Sequence, residues 1–256
     1  MLEALYRGAR EDARAREAAT GLSEMAERAR AQAPVKDLGG LVPRDTVHII
    51  AEIKRRSPSK GELSEIPDPV ALATAYEAGG ASVVSVLTEG RRFGGSLEDL
   101  REVAQSVSIP VLRKDFIDSE YQIVEARAHG ADLVLLIMAG LTDEQARTLL
   151  DMTRSWGMEA LVETHTEAEL LRAVALGATI IGVNARDLST FELDPTLFGR
   201  LVHLIPDGVL KVAESAVVNS QDVSRYREQG AHAVLVGEAL VTGSEPENRV
   251  KEFVNA

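Results

Sequence analysis

The chain of 256 residues contains no cysteine. Disulfide bonds, thiolate metal ligands and a cysteine nucleophile are therefore excluded, and the absence suits a reducing compartment. None of the five histidines stands in a metal-ligand spacing such as His-x-x-x-His. The sequence thus predicts neither thiol chemistry nor a histidine-bound metal.

Long apolar segments and an excess of positive charge are missing as well. The longest apolar runs, such as residues 133–139, fall far short of the ~20 residues needed to cross a bilayer. Charges at Glu3, Arg7 and Arg10 interrupt the N-terminus, unlike the apolar centre of a signal peptide. The formal charge of −12 argues against a nucleic-acid or anionic-membrane surface. We therefore expect a soluble cytoplasmic protein with a small-molecule partner.

The apolar residues that are present, 45% of the chain, follow a repeating pattern. Residues 1 to about 33 are rich in Ala, Arg and Glu and are typical of helix, which Gly21 interrupts. From there, short apolar runs alternate with longer amphipathic stretches. The runs are nearly continuous, as expected of parallel strands covered on both faces. Eight strands are predicted, at residues 47–53, 82–87, 110–112, 133–137, 159–162, 179–183, 210–213 and 233–236.

Gly-Ala dipeptides precede four of these strands, at residues 80–81, 130–131, 177–178 and 230–231. Glycine ends helices in a left-handed conformation, so each pair marks a helix-to-strand joint. Eight βα units predict a single α/β domain, a closed (β/α)8 TIM barrel at 46–256 with an N-terminal helical extension at 1–45. An open doubly wound sheet is the alternative, but residues 54–58, KRRSP, stand where a Gly-rich dinucleotide fingerprint would follow the first strand.

Ionisable residues collect at the predicted strand ends, where barrels carry their active sites. Glu52 and Lys54 are two apart at the end of the first strand and therefore project to the same face. Lys114, Glu163 and Glu214 directly abut other apolar runs. Loops are ordinarily polar, but that does not explain charges next to apolar runs, because buried ionisable groups need partners. The pattern predicts a cavity ringed by lysines and carboxylates with pKa values shifted toward catalysis.

Nine cations fall at or just past strand ends in this acidic chain: Lys54, Arg55, Arg56, Lys60, Arg91, Arg92, Arg113, Lys114 and Arg186. Not all can face the mouth, but the pattern indicates a site for an anion. Ser215 and Gly237 follow the last two strands, where barrels often hold phosphate on backbone N–H groups. Together with Ser57, they predict a phosphorylated substrate. His48 is expected in the core, and His165 in a solvent-facing loop without a catalytic role.

Six segments together resemble the indole-3-glycerol phosphate synthase family: IAEIKRRSPSKG (50–61), SVLTE (85–89) with FGGS (93–96), LRKDF (112–116), LVE (161–163), GVNARDL (182–188) and VAES (212–215). The resemblance spans essentially the whole chain. It implies a carboxy-lyase of tryptophan biosynthesis that needs no cofactor or metal. The implied reaction closes the ring of 1-(2-carboxyphenylamino)-1-deoxyribulose 5-phosphate, with loss of carbon dioxide and water, to give indole-3-glycerol phosphate.

The resemblance also implies roles for the strand-end residues. Lys114 would be the general acid of ring closure, and Glu163 the acid/base of dehydration. Lys54 would pair with the substrate carboxylate or serve as a second acid, and the assignment of protons to the two lysines stays open. A lysine acid needs a pKa near the working pH, so we expect neighbouring cations and partial burial to lower the pKa of Lys114.

Other residues would hold the substrate. Glu52 and Glu214 would fix lysines and hydroxyls, and Asn184 would position the substrate. The implied phosphate site is Ser57, Ser215, Ala216, Gly237 and Glu238. The implied contacts to the sugar and to the anthranilate ring are Phe93, Phe116, Leu135, Ile137 and Arg186.

Two positions depart from the family pattern. Ala216 replaces a usual glycine, and Glu238 replaces a serine found in many members. The methyl of Ala216 would crowd a phosphate, or force an unfavourable conformation if the position has a positive φ. Glu238 would repel the phosphate unless its side chain turns away. We expect retained activity with weaker substrate binding.

Two other functions stay open at this point. Phosphoribosylanthranilate isomerase is also a phosphate-binding barrel, but its chemistry usually employs a cysteine base, and this chain has none. The second alternative is a non-catalytic barrel that binds a phosphorylated metabolite. The presence of Lys54, Lys114 and Glu163 argues against this alternative. We expect a monomer, and the resemblance admits association with other tryptophan-pathway enzymes.

Overall fold

The computed structural model describes residues 1–188, 190–242 and 245–256. Eight parallel strands form a closed barrel in chain order, with the last strand paired to the first. This confirms the predicted (β/α)8 TIM barrel, and every predicted strand boundary lies within two residues of the observed one. The strands are β1 (His48–Ile53), β2 (Val83–Leu87), β3 (Val111–Lys114), β4 (Leu133–Ile137), β5 (Glu159–Thr164), β6 (Ile180–Asn184), β7 (Leu210–Glu214) and β8 (Ala233–Val236).

Two helices precede the barrel, α1 (Leu2–Ala19) and α2 (Leu22–Arg30), with the predicted break at Gly21. Ion pairs tie α1 to the barrel, from Arg10 to Asp118 in the loop after β3 and from Arg16 to Glu125 in the following helix. The extension therefore lies against the loops at the carboxyl ends of the strands, where it can reach the predicted site.

The remaining helices lie between the strands or follow the last one, and several of them begin at a side-chain cap. Ser96, Ser119, Thr142 and Thr166 each accept a hydrogen bond from the backbone N–H three residues further on, which satisfies a free donor of the first turn. The helices are α3 (Pro69–Ala78), α4 (Gly90–Phe93), α5 (Leu97–Ser106), α6 (Glu120–Ala128), α7 (Asp143–Ser155), α8 (Glu167–Ala175), α9 (Leu197–Leu201), α10 (Ser220–Glu228), α11 (Glu238–Val241) and α12 (Pro246–Val254).

Short elements complete the chain between these helices and strands. Residues Arg56–Ser57 and Gly61–Glu62 pair as a small antiparallel hairpin directly after β1. Single 3₁₀ turns occur at Met138–Gly140 and Val202–Leu204. The glycines of the four Gly-Ala pairs all have positive φ, which confirms the predicted helix-to-strand joints: Gly80, Gly130, Gly177 and Gly230.

The core fills the barrel and the space between strands and helices. Every residue of β2, β4 and β6 is buried, in agreement with strands covered on both faces. Tyr76 and Tyr226 are fully buried on the helices α3 and α10. Within the described ranges, no helix has the length and apolar character needed to span a membrane.

Candidate active site

A cavity of about 420 Å³ opens at the carboxyl ends of the strands. Its position agrees with the general rule that barrel enzymes carry their sites on this face. Every residue for which the family resemblance implies a role lines it: Glu52, Lys54, Ser57, Phe93, Lys114, Phe116, Leu135, Ile137, Glu163, Asn184, Arg186, Glu214, Ser215, Ala216, Gly237 and Glu238. The structure therefore brings the nominated residues together, while their individual roles stay predictions.

Four ionisable side chains form one layer across the barrel centre. They come from the ends of alternate strands, with Glu52 on β1, Lys114 on β3, Glu163 on β5 and Glu214 on β7. Alternate strands of a TIM barrel supply the four side chains of each interior layer, so this cluster occupies an ordinary packing layer. The Lys114 Nζ lies 3.5 Å from Glu52 Oε2, 3.5 Å from Glu214 Oε2 and 3.7 Å from Glu163 Oε2.

The pKa of Lys114 moves in the direction opposite to our expectation. Burial disfavours the charged ammonium, but the three surrounding carboxylates outweigh it and raise the pKa of Lys114 above its usual value. The expectation of a lowered pKa was wrong because Arg113, its neighbour in sequence, projects to the other face of β3. There Arg113 is fully buried and pairs with Asp115 and Glu125.

The carboxylates of the layer are buried and do not titrate alike. Burial raises the pKa of Glu52, but Lys54 at 2.8 Å and Lys114 reverse the shift, so its pKa is lowered. Burial is likewise outweighed at Glu163, where Lys114 and His165 hold the pKa low. At Glu214, burial and the charge of Glu163 raise the pKa well above its usual value. Glu214 therefore keeps its proton to a higher pH than Glu52 and Glu163 do.

Two glycines leave room for these carboxylates. A Cβ on Gly182, which lies on β6 beside β7, would stand 2.1 Å from Glu214 Oε1. A Cβ on Gly237 would stand 2.5 Å from Glu52 Oε1. The sequence analysis did not single out Gly182. A glycine inside an otherwise apolar strand is the signal that could have identified such a close approach.

The predicted phosphate end contains two residues in left-handed conformation. Ser215 has φ 69° and Ala216 has φ 55°, a region that glycine occupies without penalty. Ala216 therefore adopts the unfavourable conformation that we considered. Glu238 pairs with Lys60 across the opening, so its charge is neutralised by a lysine of the loop after β1. The Ser215 hydroxyl donates to Asn184 Oδ1 at 2.8 Å, and this contact links the predicted phosphate end to the end of β6.

The opposite wall of the cavity is apolar. The rings of Phe93 and Phe116 lie 6.1 Å apart, and Tyr6 of α1 contacts Phe116 edge-on at 5.6 Å. The Tyr6 hydroxyl donates to the carbonyl of Ile137 at 3.4 Å, and burial and the charge of Glu163 raise the pKa of Tyr6. Tyr6 was not predicted, because no local pattern in α1 shows that the helix reaches this wall.

The strand-end cations divide between the cavity and the scaffold. The predicted cations that line the cavity are Lys54, Lys60, Lys114 and Arg186. Arg55 instead pairs with Asp99, at the N-terminal end of α5. Arg249 and Phe191 also line the cavity and were missed. Arg249 lies on α12, well past the last strand, and Phe191 lies just after the segment 182–188, in a loop whose course the sequence pattern does not indicate.

The predictions for His48 and His165 differ in how well they agree with the structure. His48 is buried as expected, with Nδ1 2.8 Å from Ser82 Oγ and Nε2 2.8 Å from the carbonyl of Val42. The expectation of a solvent-facing His165 was wrong, because its side chain is only 8% exposed. It lies between Glu163 and Glu169, which folds back from the first turn of α8.

Comparison with known proteins identifies a family. The family model for indole-3-glycerol phosphate synthase matches residues 2–253. An indole-3-glycerol phosphate synthase of Kineococcus radiotolerans is 54% identical, over 100% of this chain and 95% of its own. The enzyme of that name from Leifsonia xyli subsp. xyli is 57% identical, over 99% of this chain and 97% of its own. These matches favour the synthase over the isomerase.

Solved structures with the same architecture are much more distant. A 3-hexulose-6-phosphate synthase from Salmonella typhimurium aligns with a TM-score of 0.66 at 13% identity, over 82% of this chain and 97% of that one. An N-acetylmannosamine-6-phosphate 2-epimerase from Clostridium perfringens aligns with a TM-score of 0.62 at 15% identity, over 88% and 98%. Such likeness supports the barrel fold alone. From the full-length sequence matches, the chain belongs to the indole-3-glycerol phosphate synthase family.

Proposed function

We propose that Lys114 and Glu163 divide the chemistry of indole-3-glycerol phosphate synthesis between ring closure and dehydration. The activity of the family is a carboxy-lyase step of tryptophan biosynthesis. The observation that carries the assignment of roles is the buried layer in which one lysine faces three carboxylates at 3.5–3.7 Å. Such a layer can keep an acid and a base charged in one cavity without solvent between them.

Ring closure needs a proton at the ketone oxygen. The ring carbon that bears the carboxylate attacks the ketone carbon, and Lys114 gives its proton to the oxygen that becomes a hydroxyl. The raised pKa of Lys114 keeps the ammonium charged until the substrate enters. During the attack, negative charge develops on the ketone oxygen. This oxygen then becomes a stronger base than it is in the ketone and takes the proton of Lys114. The carbon–carboxylate bond then breaks, and its electron pair restores the aromatic ring as carbon dioxide leaves.

Dehydration needs a base and an acid. Glu163 takes a proton from the methylene carbon beside the nitrogen, the electron pair forms the carbon–carbon double bond, and the hydroxyl leaves as water with a proton from one of the lysines. The low pKa of Glu163 keeps it ionised for this role. Decarboxylation consumes one proton and dehydration none, so each turnover takes up one proton from solution.

The remaining residues would hold the substrate. Lys54, which pairs with Glu52 at 2.8 Å, can attract the substrate carboxylate before it departs. The raised pKa of Glu214 favours its protonated form, which can donate to a substrate oxygen or to Glu163, and the amide of Asn184 can contact the sugar hydroxyls. Phosphate would bind at Ser57, Ser215, Ala216, Gly237 and Glu238. The aromatic ring would lie on Phe93, Phe116, Leu135 and Ile137, with Arg186 on the sugar side.

We also propose that residues 1–45 and 46–256 form one domain, and that the chain acts as a monomer in the cytoplasm. The ion pairs of Arg10 and Arg16 support the first statement, since they join the extension to barrel loops. Elution of the purified chain as a dimer would contradict the second.

A steady-state assay with 1-(2-carboxyphenylamino)-1-deoxyribulose 5-phosphate tests the activity. The rate of indole-3-glycerol phosphate formation, followed by the fluorescence of its indole ring in the presence of EDTA, should saturate with substrate concentration. Phosphoribosylanthranilate should not be isomerised. Binding of the substrate without turnover would instead favour a non-catalytic barrel. Turnover that EDTA abolishes would contradict a mechanism that relies on side chains alone.

A further inference from the structure

His165 lies directly behind the proposed base, outside the cavity lining. Its Nε2 is 3.2 Å from Glu163 Oε1, and its Nδ1 is 3.4 Å from Glu169 Oε2. Glu169 Oε2 also accepts the backbone N–H of His165 at 2.8 Å. Glu169 belongs to the first turn of α8, whose N-terminus is capped by Thr166. The imidazole is thus fixed between a cavity carboxylate and a carboxylate anchored by a helix.

This placement means that Glu163 is held at both of its oxygens. Oε2 faces Lys114 at 3.7 Å, and Oε1 faces His165. The Nε2 atom is buried and within reach of Oε1, but it is not aligned for a hydrogen bond. The imidazole nitrogen and the carboxylate oxygen thus face each other at 3.2 Å without an aligned hydrogen bond. Catalytic hydrogen bonds are often loose before the substrate binds.

The charges around His165 favour the imidazolium. Burial lowers the pKa of His165, but Glu163 and Glu169 outweigh burial and raise it to about 10. The other ionisable groups around Glu163 are Lys114, Glu214 and Tyr6, which come from β3, β7 and α1. Of these groups only Lys114 carries a positive charge. The imidazolium is therefore the second cation that stabilises an ionised Glu163.

We propose that His165 is a positioning residue that orients the Glu163 carboxylate and keeps it ionised for the dehydration step. The inference rests on the proposed role of Glu163. His165 does not line the cavity, so it acts through Glu163 and not on the substrate. Glu169 in turn fixes the ring, which makes it the outer member of a carboxylate–imidazolium–carboxylate chain.

Substitution of His165 tests the proposal through the rate and its pH dependence. In His165→Gln, which keeps an N–H donor without a charge, kcat should fall about 10-fold, less than the 10²–10⁴-fold expected on loss of a general base. In His165→Leu, which removes both donor and charge, kcat should fall further. KM should stay within about twofold in both, because the substrate contacts are intact.

The pH profile separates this role from a merely structural one. Without the imidazolium the pKa of Glu163 rises, so the acidic limb of kcat should move to higher pH in both variants. Glu169→Gln should show a smaller shift in the same direction. Glu167→Gln, an exposed neighbour on the same helical turn, is the matched control and should leave the profile unchanged. Circular dichroism and thermal melting confirm that each variant is folded.

Single-turnover experiments separate failure of this inference from failure of the proposed function. If Glu163→Gln accumulates a ring-closed, decarboxylated intermediate and His165→Gln does so more weakly, both proposals hold. If Glu163→Gln accumulates it but His165→Gln retains the wild-type acidic limb and kcat, the role of His165 is refuted. If Glu163→Gln accumulates no such intermediate, the assignment of Glu163 to dehydration is refuted, and with it the role of His165 that rests on this assignment.

Discussion

Replacement of Lys114 by methionine should abolish most turnover while leaving substrate affinity nearly intact. Methionine keeps the length and the apolar stem of the side chain but removes the ammonium at the centre of the buried layer. Loss of a general acid lowers rates about 10²–10⁴-fold, which corresponds to ~2.7–5.5 kcal/mol of activation free energy. The phosphate end and the apolar wall do not depend on Lys114, so KM should change by no more than a few fold.

The matched control is Lys60→Met. Lys60 lines the same cavity, but its ammonium lies at the predicted phosphate end, where it pairs with Glu238. We expect a raised KM with little change in kcat for this variant. Steady-state indole fluorescence over a range of substrate concentrations distinguishes the two patterns. A Lys114→Met enzyme that retains kcat, or that loses only affinity, would refute the assignment of Lys114 as the acid.

Stability measurements guard against loss of activity by unfolding. Without Lys114, three buried carboxyl groups lose a shared cation. Lys54 still faces Glu52 and His165 still faces Glu163, so the loss of stability should be smaller than the ~3–5 kcal/mol of an uncompensated buried charge. The pKa values of the three carboxyl groups should rise, so the variant should regain stability relative to the wild type as the pH falls and the carboxylates are protonated. Melting curves between pH 5 and pH 8 would show this, and kinetics should be measured where the variant is folded.

Three further substitutions test the geometry. Ala216→Gly removes the strain of an L-residue at positive φ, about 1 kcal/mol, but raises the conformational entropy of the unfolded chain, which offsets a similar free energy. The melting temperature should therefore change little while KM falls. An unaltered KM would count against crowding of the phosphate by the Ala216 methyl. Glu214→Gln should melt at a higher temperature than the wild type at pH 8 but not at pH 4. The pKa of Glu214 is raised in the folded state, so the wild type loses stability as the pH rises above the unfolded pKa of about 4.3, whereas the variant does not. A difference in melting temperature that is independent of pH would contradict this. Gly182→Ala should displace Glu214, lower the free energy of unfolding by ~1–3 kcal/mol and lower kcat. The control Gly40→Ala, which has open space around it, should leave the free energy of unfolding unchanged in denaturant titrations. Equal stability of the two variants would contradict the close approach of Gly182 and Glu214.

Most of the fold was predictable because its signals are local. Parallel strands buried on both faces give continuous apolar runs, and the helix-ending glycines of the Gly-Ala pairs mark where four of the eight strands begin. The candidate cavity followed from the same pattern, since charges next to apolar runs mark the carboxyl ends of strands. Lys114, Glu163 and Glu214 each follow an apolar run, so this pattern predicts them from the sequence alone.

The features that were missed depend on contacts between distant segments. The pKa of Lys114 is set by carboxylates of three other strands, none of which is adjacent to it in sequence. Burial of His165 requires α8 to fold Glu169 back onto the end of β5. Tyr6 reaches a carbonyl 131 positions away, through a helix that the sequence identified but could not orient.

The division of labour between Lys114 and Glu163 is the central claim, and one rapid-quench experiment tests it most directly. Enzyme in excess over substrate is sampled for carbon dioxide and for indole-3-glycerol phosphate in Lys114→Met and in Glu163→Gln. We predict that Glu163→Gln releases carbon dioxide at close to the wild-type rate but forms indole slowly, whereas Lys114→Met is slow in both. Equal loss of carbon dioxide release in the two variants would contradict the claim and place Glu163 in the first step.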